Sequence, residues 1–332
     1  MLKRTIFLLS FIIMTATVSI AQKVVYSSDL NTPDYYQVFI SDLDGSNAKQ
    51  LTNMYVNCLR PRFSPDGTMI VFYTESENSY PGVYLIKNAD SETPDEPLYV
   101  AEGTHPSFID DQGSIMFNSD INGYLSIFAK ALEDSEAIEI APPGYANQQI
   151  ISNDYTKIVF SAYFDGNKTI MLIDFNDESE DNLYKVSENS NSNLNPDISK
   201  DNMNVVYSSF NQELKGTIFI SKAGKESPLT KDIESSDLPK FSPSGDVIAF
   251  LNINDNSVKL YTMDINGKGK KNIKVKGGNI GGYKWIDDER IIYDVEDGSS
   301  YKIGIVNIIT GENSLIVDSG SSLFPDVYLP RY

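Results

Sequence analysis

The chain has 332 residues but only one cysteine, Cys58, one histidine, His105, and one tryptophan, Trp285. A lone thiol excludes an intramolecular disulfide, so stability must come from packing. A lone histidine excludes multi-histidine metal sites and leaves a Ser-His-Asp triad nowhere to form except around His105; no Gly-x-Ser-x-Gly elbow occurs. Positive charge is scarce as well: 27 Lys and Arg stand against 46 Asp and Glu, a net charge of −19. Such a surface repels nucleic acid and anionic membrane. Beyond residue 21 no apolar run is long enough to cross a bilayer as a helix.

Residues 1–21 read as a signal peptide. Lys3 and Arg4 precede the apolar run Ile6 to Ile13, polar Thr15, Thr17 and Ser19 come after it, and Ser19-Ile20-Ala21 offers small residues to a signal peptidase. No cysteine near the site provides for a lipid anchor. Cleavage before Gln22 takes the net charge from −19 to −21 and leaves 22–332. With 41% hydrophobic residues spread evenly, that stretch is expected to form one domain with no membrane span.

What the chain does have is a repeat. Phe63-Ser64-Pro65-Asp66-Gly67 returns as Phe241-Ser242-Pro243-Ser244-Gly245. Pro fixes φ at the first corner of a turn, and Asp-Gly supplies a side-chain hydrogen bond and a permissive backbone, so a strand must reverse there. Strand-like runs recur at Lys23 to Ser28, Met69 to Thr74, Ser114 to Ser119, Lys157 to Ala162, Asn204 to Ser209, Val247 to Asn252 and Arg290 to Val295. Counted from Val24, Ile70, Ile115, Ile158, Val205, Ile248 and Ile291, the steps are 46, 45, 43, 47, 43 and 43 residues. Phe63 to Phe72, Phe108 to Phe117, Ile151 to Phe160, Ile198 to Tyr207 and Phe241 to Phe250 all span nine.

Four strand signals per period of this length predict an all-β fold, a seven-bladed β-propeller of four-stranded antiparallel blades, six blades being the alternative count. The chain from Gln22 opens in mid-blade, and Phe324-Pro325-Asp326-Val327 matches Arg60-Pro61-Arg62-Phe63. A C-terminal strand is therefore expected to complete the N-terminal blade and close the ring. The column Phe63, Phe108, Ile151, Ile198, Phe241, Trp285 and Val327 is expected to pack between blades.

Pro61 to Gly67 followed by Met69-Ile70-Val71-Phe72, together with Val38 to Gly45 running into Lys49-Gln50-Leu51-Thr52, resembles the WD40-like (PD40) repeat of TolB-type propellers. The resemblance covers residues 22–332, with degenerate turns at Asn153-Asp154-Tyr155, Lys200-Asp201-Asn202 and Asp287-Asp288-Glu289. It implies an exported, typically periplasmic protein that binds other macromolecules. TolB itself has six blades and a separate N-terminal α/β domain, and the present repeat count departs from that.

Strand order assigns the loops. The turns from first to second and third to fourth strand are short and share one face; the second-to-third loops and blade-to-blade connections are longer and share the other, where function usually resides. That face is expected to carry Tyr36, Tyr80, Tyr124 and Tyr163, and at the mouth of the central channel Arg60, Arg62, His105, Asn195, Asp197, Lys240, Lys284 and Asp326. Rings to stack and charges to orient suit a protein segment or a glycan; the plainer reading is that the Tyr rings cap hydrophobic edges.

Other signals read as structure. Asp42-Leu43-Asp44-Gly45 opens like a calcium loop but lacks the remaining ligands, so a turn is expected. Lys268, Lys270, Lys271, Lys274 and Lys276 suit an outermost strand that blocks edge pairing. Gly277 to Gly282 opens no helix and is no phosphate cradle. Neither a cofactor nor a metal is implied. The expectation is a periplasmic, non-enzymatic binding or scaffold protein for an envelope protein or glycan; the alternative is a carbohydrate-active propeller enzyme that uses channel-mouth carboxylates.

Overall fold

The computed structural model describes residues 22–141, 145–164, 166–179, 182–231, 235–254 and 256–328; the expected signal peptide lies outside them. They hold 28 strands in seven four-stranded antiparallel sheets. Blade 1 orders Ser322–Val327, Lys23–Ser28, Gln37–Asp42 and Lys49–Gln50 from axis to rim. Blades 2 to 7 follow in sequence, with first strands Asn57–Phe63, Thr104–Phe108, Asn147–Ile151, Ser192–Ile198, Ser235–Phe241 and Ile280–Trp285. The ring closes as expected, Val24 pairing with Val327 and Ser28 with Ser322.

Each second strand carries one fully buried aromatic in the same register: Tyr26, Phe72, Phe117, Phe160, Tyr207, Phe250 and Tyr293. In five blades the directly opposed third-strand residue is also aromatic and the rings stack, as in Tyr26 on Phe39 at 5.8 Å and Phe117 on Phe128 at 6.2 Å. Blade 4 opposes Phe160 with Met171, and blade 7 opposes Tyr293 with Gly304. Cross-strand aromatic pairs of this kind are the unit by which a sheet is stabilised.

Seven hydrophobic clusters each join two neighbouring blades. Val25, Val38 and Ile40 of blade 1 pack with Ile70 and Phe72 of blade 2, and Ile292 and Ile303 of blade 7 pack with Val24 and Val327 of blade 1. The core is therefore a ring of interfaces with no single centre.

The corner between first and second strands rests on a serine and an aspartate. Ser64 Oγ donates to Asp66 Oδ1 at 2.6 Å, and Met69 N–H donates back to Ser64 Oγ at 2.9 Å. The same network recurs at Ser152 and Asp154 and at Ser199 and Asp201, where Pro and Gly have been lost. The degenerate turns keep the hydrogen bonds and drop the backbone aids.

At the rim, Lys271–Asn272 is the outermost strand of blade 6, and Lys270 lies 4.9 Å from the Tyr261 ring centroid. Of the five lysines expected on an outermost strand only Lys271 lies within it; Lys268 and Lys270 precede it and Lys274 and Lys276 follow it, so most of the segment flanks the edge. Asp42 and Asp44 accept hydrogen bonds from Asn47 and Ser46, closing a turn. Among the described residues no helix is long and apolar enough to cross a membrane.

Candidate functional site at the channel mouth

The first strands reach the axis through a shared irregularity. Arg60, His105, Gln148, Asn195, Leu238 and Phe324 occupy equivalent positions and have φ between 50° and 58°, in the left-handed region. Each sits at a register shift against the second strand. A bulge re-aims a side chain at a local cost of about 1–3 kcal/mol per strained residue, and such strain gathers where groups are held for binding. In five blades a proline follows: Pro61, Pro106, Pro196, Pro239 and Pro325. These residues form an upper tier of the channel. Two residues further on, Arg62, Ser107, Ile150, Asp197, Lys240, Lys284 and Asp326 form a lower tier.

In the upper tier the Arg60 guanidinium lies 4.3 Å from the centre of the Phe324 ring, a cation–π contact between blades 2 and 1. Tyr73, on the second strand of blade 2, faces Arg60 and stacks on His105 of blade 3 at 5.5 Å. His105 opens to channel water while the walls surround it. That enclosure, followed by the Arg60 and Arg62 charges, pulls its pKa down to about 4, so the imidazole is neutral. Asp294 lies behind this arc, 1% exposed, and burial raises its pKa to about 6. Its Oδ2 accepts the Phe324 N–H at 3.1 Å. Asn195 continues the tier: its side-chain amide donates to Asp237 Oδ1 at 2.8 Å, and its backbone N–H donates to Gln148 Oε1 at 3.0 Å.

The lower tier carries an ionic arc from Asp197 through Lys240 and Lys284 to Asp326 and Arg62, interrupted by Ser107 and by Ile150, which packs into the core between blades 4 and 5. Asp326, with its side chain 3% exposed, takes Arg62 at 3.2 Å on one side and Lys284 on the other. Burial pushes the Asp326 pKa up, but the two cations outweigh it and the carboxylate is held below its usual range. Its second oxygen accepts the Phe63 N–H of the next blade at 3.0 Å. Asp197 repeats the device on Phe241 N–H at 2.7 Å, and burial raises its pKa despite nearby Lys240. These carboxylates are cross-blade ties as well as channel charges.

The tyrosines divide. Tyr80 and Tyr163, 76% and 53% exposed, stand on the loop-rich face away from the axis. Tyr36 is half-buried and donates to Ser321 Oγ at 2.9 Å. Tyr124 donates to Glu139 Oε2, an outer-strand group of blade 3 at 3.0 Å, so it lies toward the rim and does not reach the channel. Among the described residues, nine of the sixteen exposed large apolar side chains lie on the loop-rich face, all between Leu30 and Leu214, so blades 1 to 5 carry an apolar crescent that blades 6 and 7 lack.

Sequence reading missed Tyr73, Asp294 and Phe324. The signal for Asp294 was available: it occupies the register of Ser27, Tyr73, Asn118, Ser161, Ser208 and Leu251, the one acid in that column. Among the described residues no group of three or more His, Cys, Asp and Glu is placed to hold a metal ion.

Seven four-stranded blades closed by a strand from the far end of the chain, around a two-tiered charged channel, define a closed β-propeller. The TolB beta propeller domain family matches residues 3–229, and the chain belongs to that family. The Tol-Pal system protein TolB of Roseobacter denitrificans is 44% identical over 66 residues, 19% of this chain and 15% of that protein. TolB of Acinetobacter baumannii shares the fold at 18% identity and a TM-score of 0.57, covering 93% of this chain and 66% of that one. The chain thus spans less than two thirds of both relatives. A Mycobacterium tuberculosis puromycin-hydrolyzing peptidase is similar in fold, with a TM-score of 0.67 at 12% identity, covering 90% of this chain and 51% of the peptidase.

Proposed function

We propose that this is an exported, periplasmic binding protein that holds an envelope protein or glycan, without turnover, on its loop-rich face. The observation that carries the reading is the coincidence, on one face, of the apolar crescent with the strained, charged mouth of the channel. Apolar surface concentrated at one end of an otherwise acidic molecule marks an interaction site. Strained residues locked by cross-blade hydrogen bonds give that surface a fixed shape. Membership of a family named for a component of the Tol-Pal system supports an envelope partner.

The test is affinity capture from envelope extract, with wild type beside a variant carrying Arg60→Ala, Tyr80→Ser and Tyr163→Ser. A partner held stoichiometrically by the wild type and lost from the variant supports the reading. Equal retention by both removes it. Arg62 is left intact because its loss would deprive buried Asp326 of a counter-charge.

The second reading, a carbohydrate-active enzyme, draws on Asp294, a buried carboxyl whose pKa of about 6 suits proton donation near neutrality. Glycan cleavage by the wild type that is abolished in Asp294→Asn would favour it.

A further inference from the structure

Resting on the reading that ligand enters at the loop-rich face, we infer that the channel takes an acidic polypeptide segment, its carboxylates held by Arg60 at the mouth and Lys240 one tier below. The molecule carries a net charge of −19, yet its channel wall is balanced, with Arg60, Arg62, Lys240 and Lys284 against Asp197, Asp237, Asp294 and Asp326. The lower tier has three cations, Arg62, Lys240 and Lys284, against two acids, Asp197 and Asp326. Asp326 is shared between Arg62 and Lys284 and also bonds an amide. Asp197 has one oxygen committed to the Phe241 N–H. Among the described residues, no carboxylate lies within salt-bridge distance of Arg60 or Lys240; buried Asp294 and Asp197 act on them only from further off, and Tyr73 takes one hydrogen bond of Arg60.

The two cations are placed to act together. Arg60 belongs to blade 2 and Lys240 to blade 6, three blades apart in a ring of seven, so they stand on opposite walls. An extended chain sends successive side chains to opposite sides and can offer a carboxylate to each. Arg60 is also held ready for such a contact, since Phe324 covers one face of its guanidinium and the left-handed backbone at both residues fixes the pair. A planar donor fork held in this way binds a carboxylate with little further loss of freedom.

The walled channel focuses the field of these two cations onto what lies inside it, so a short acidic segment is attracted there even though the outer surface repels it. The same outer surface turns away a long polyphosphate. On the loop-rich face that surrounds the mouth the exposed apolar groups include Leu30, Ile121 and Leu214, with Tyr55, Tyr80 and Tyr163 standing further from the axis. Aliphatic groups offer nothing to sugar hydroxyls but pack well against apolar peptide side chains, and this favours polypeptide over an acidic glycan.

The experiment titrates the purified protein with a labelled, end-capped peptide of five Glu-Ser repeats, with its Gln-Ser counterpart, and with a uronate pentasaccharide, following fluorescence anisotropy. The glutamate peptide is expected to bind about tenfold tighter than the glutamine peptide and to weaken as salt is raised. Arg60→Gln and Lys240→Gln are each expected to lower its affinity about tenfold, whereas Lys200→Gln, on the tight-turn face, leaves it unchanged. Melting curves of the variants establish that the ring is intact. Equal binding of the two peptides, full affinity in Arg60→Gln, or binding of the pentasaccharide alone overturns the inference. If the glutamate peptide fails while the capture experiment still shows a partner lost from the loop-face variant, the acidic-segment proposal falls and the binding reading stands. If capture also fails, both fall.

Discussion

Gly304 lies directly across from Tyr293, and a Cβ placed on Gly304 would sit 2.4 Å from the Tyr293 hydroxyl oxygen. Five other blades set ring against ring at this point. Blade 7 instead lets its one ring extend over the neighbouring strand, where the hydroxyl donates to Asn313 Oδ1 at 2.6 Å. Gly304→Ala is therefore expected to destabilise by about 1–3 kcal/mol through overpacking. Gly224→Ala meets no atoms within 4 Å but has φ of 78°, so it isolates the backbone effect from the steric one in parallel urea titrations.

Asp326→Ala should cost roughly 2–4 kcal/mol, less than a wholly buried ion pair because Arg62 and Lys284 reach channel water. It leaves two cations facing each other and the Phe63 N–H without its acceptor. Since Asp326 belongs to the strand that closes the ring, loss of amide-exchange protection in Lys23–Ser28 should accompany the loss of stability.

Asp294 and His105 should oppose each other as pH changes. Asp294 has a folded pKa of about 6, above its ordinary 3.8, so its contribution favours the folded state at low pH and is lost as pH rises from about 4 to 6. His105 has a folded pKa of about 4, below 6.5, so its contribution favours folding above 6.5 and is lost as pH falls toward 4. Asp294 is closed off and should contribute on the order of 2–3 kcal/mol; His105 opens to the channel and contributes less. Relative to wild type, Asp294→Asn should gain stability as pH rises from 4.5 to 6.5, and His105→Gln should lose it. Unfolding free energies at the two pH values check both signs.

The strand framework was legible because the repeat is strict where packing demands it. Lys23–Ser28 and Gln37–Asp42 fall where alternation and aromatic content place them, and the buried aromatics keep their spacing. Sequence pattern alone starts the first strands at Arg60, His105 and Asn195, whereas they begin one to three residues earlier, at Asn57, Thr104 and Ser192. The bulge at each of these residues breaks the two-residue period, and a following proline reads as a strand start. The charged channel residues were legible through their position before and after that proline. Asp294 was hidden within an apolar-looking strand, and the rimward course of Tyr124 depends on Glu139, a partner fifteen residues away.

Tyr80→Ser and Tyr163→Ser should leave stability within about 0.5 kcal/mol of wild type, since both rings stand in solvent. A larger loss, measured by thermal melting, would make these rings part of the packing and remove them from the binding face.

The most direct measurement places a photo-crosslinking phenylalanine analogue singly at Tyr80 and Tyr163 on the loop-rich face, and at Met203 and Ile309 on the tight-turn face. All four positions are exposed, so the fold tolerates the change. Irradiation in intact envelopes should yield discrete partner adducts from the first pair and none from the second. Adducts confined to Met203 and Ile309 would contradict the account and move the binding surface to the opposite end of the ring.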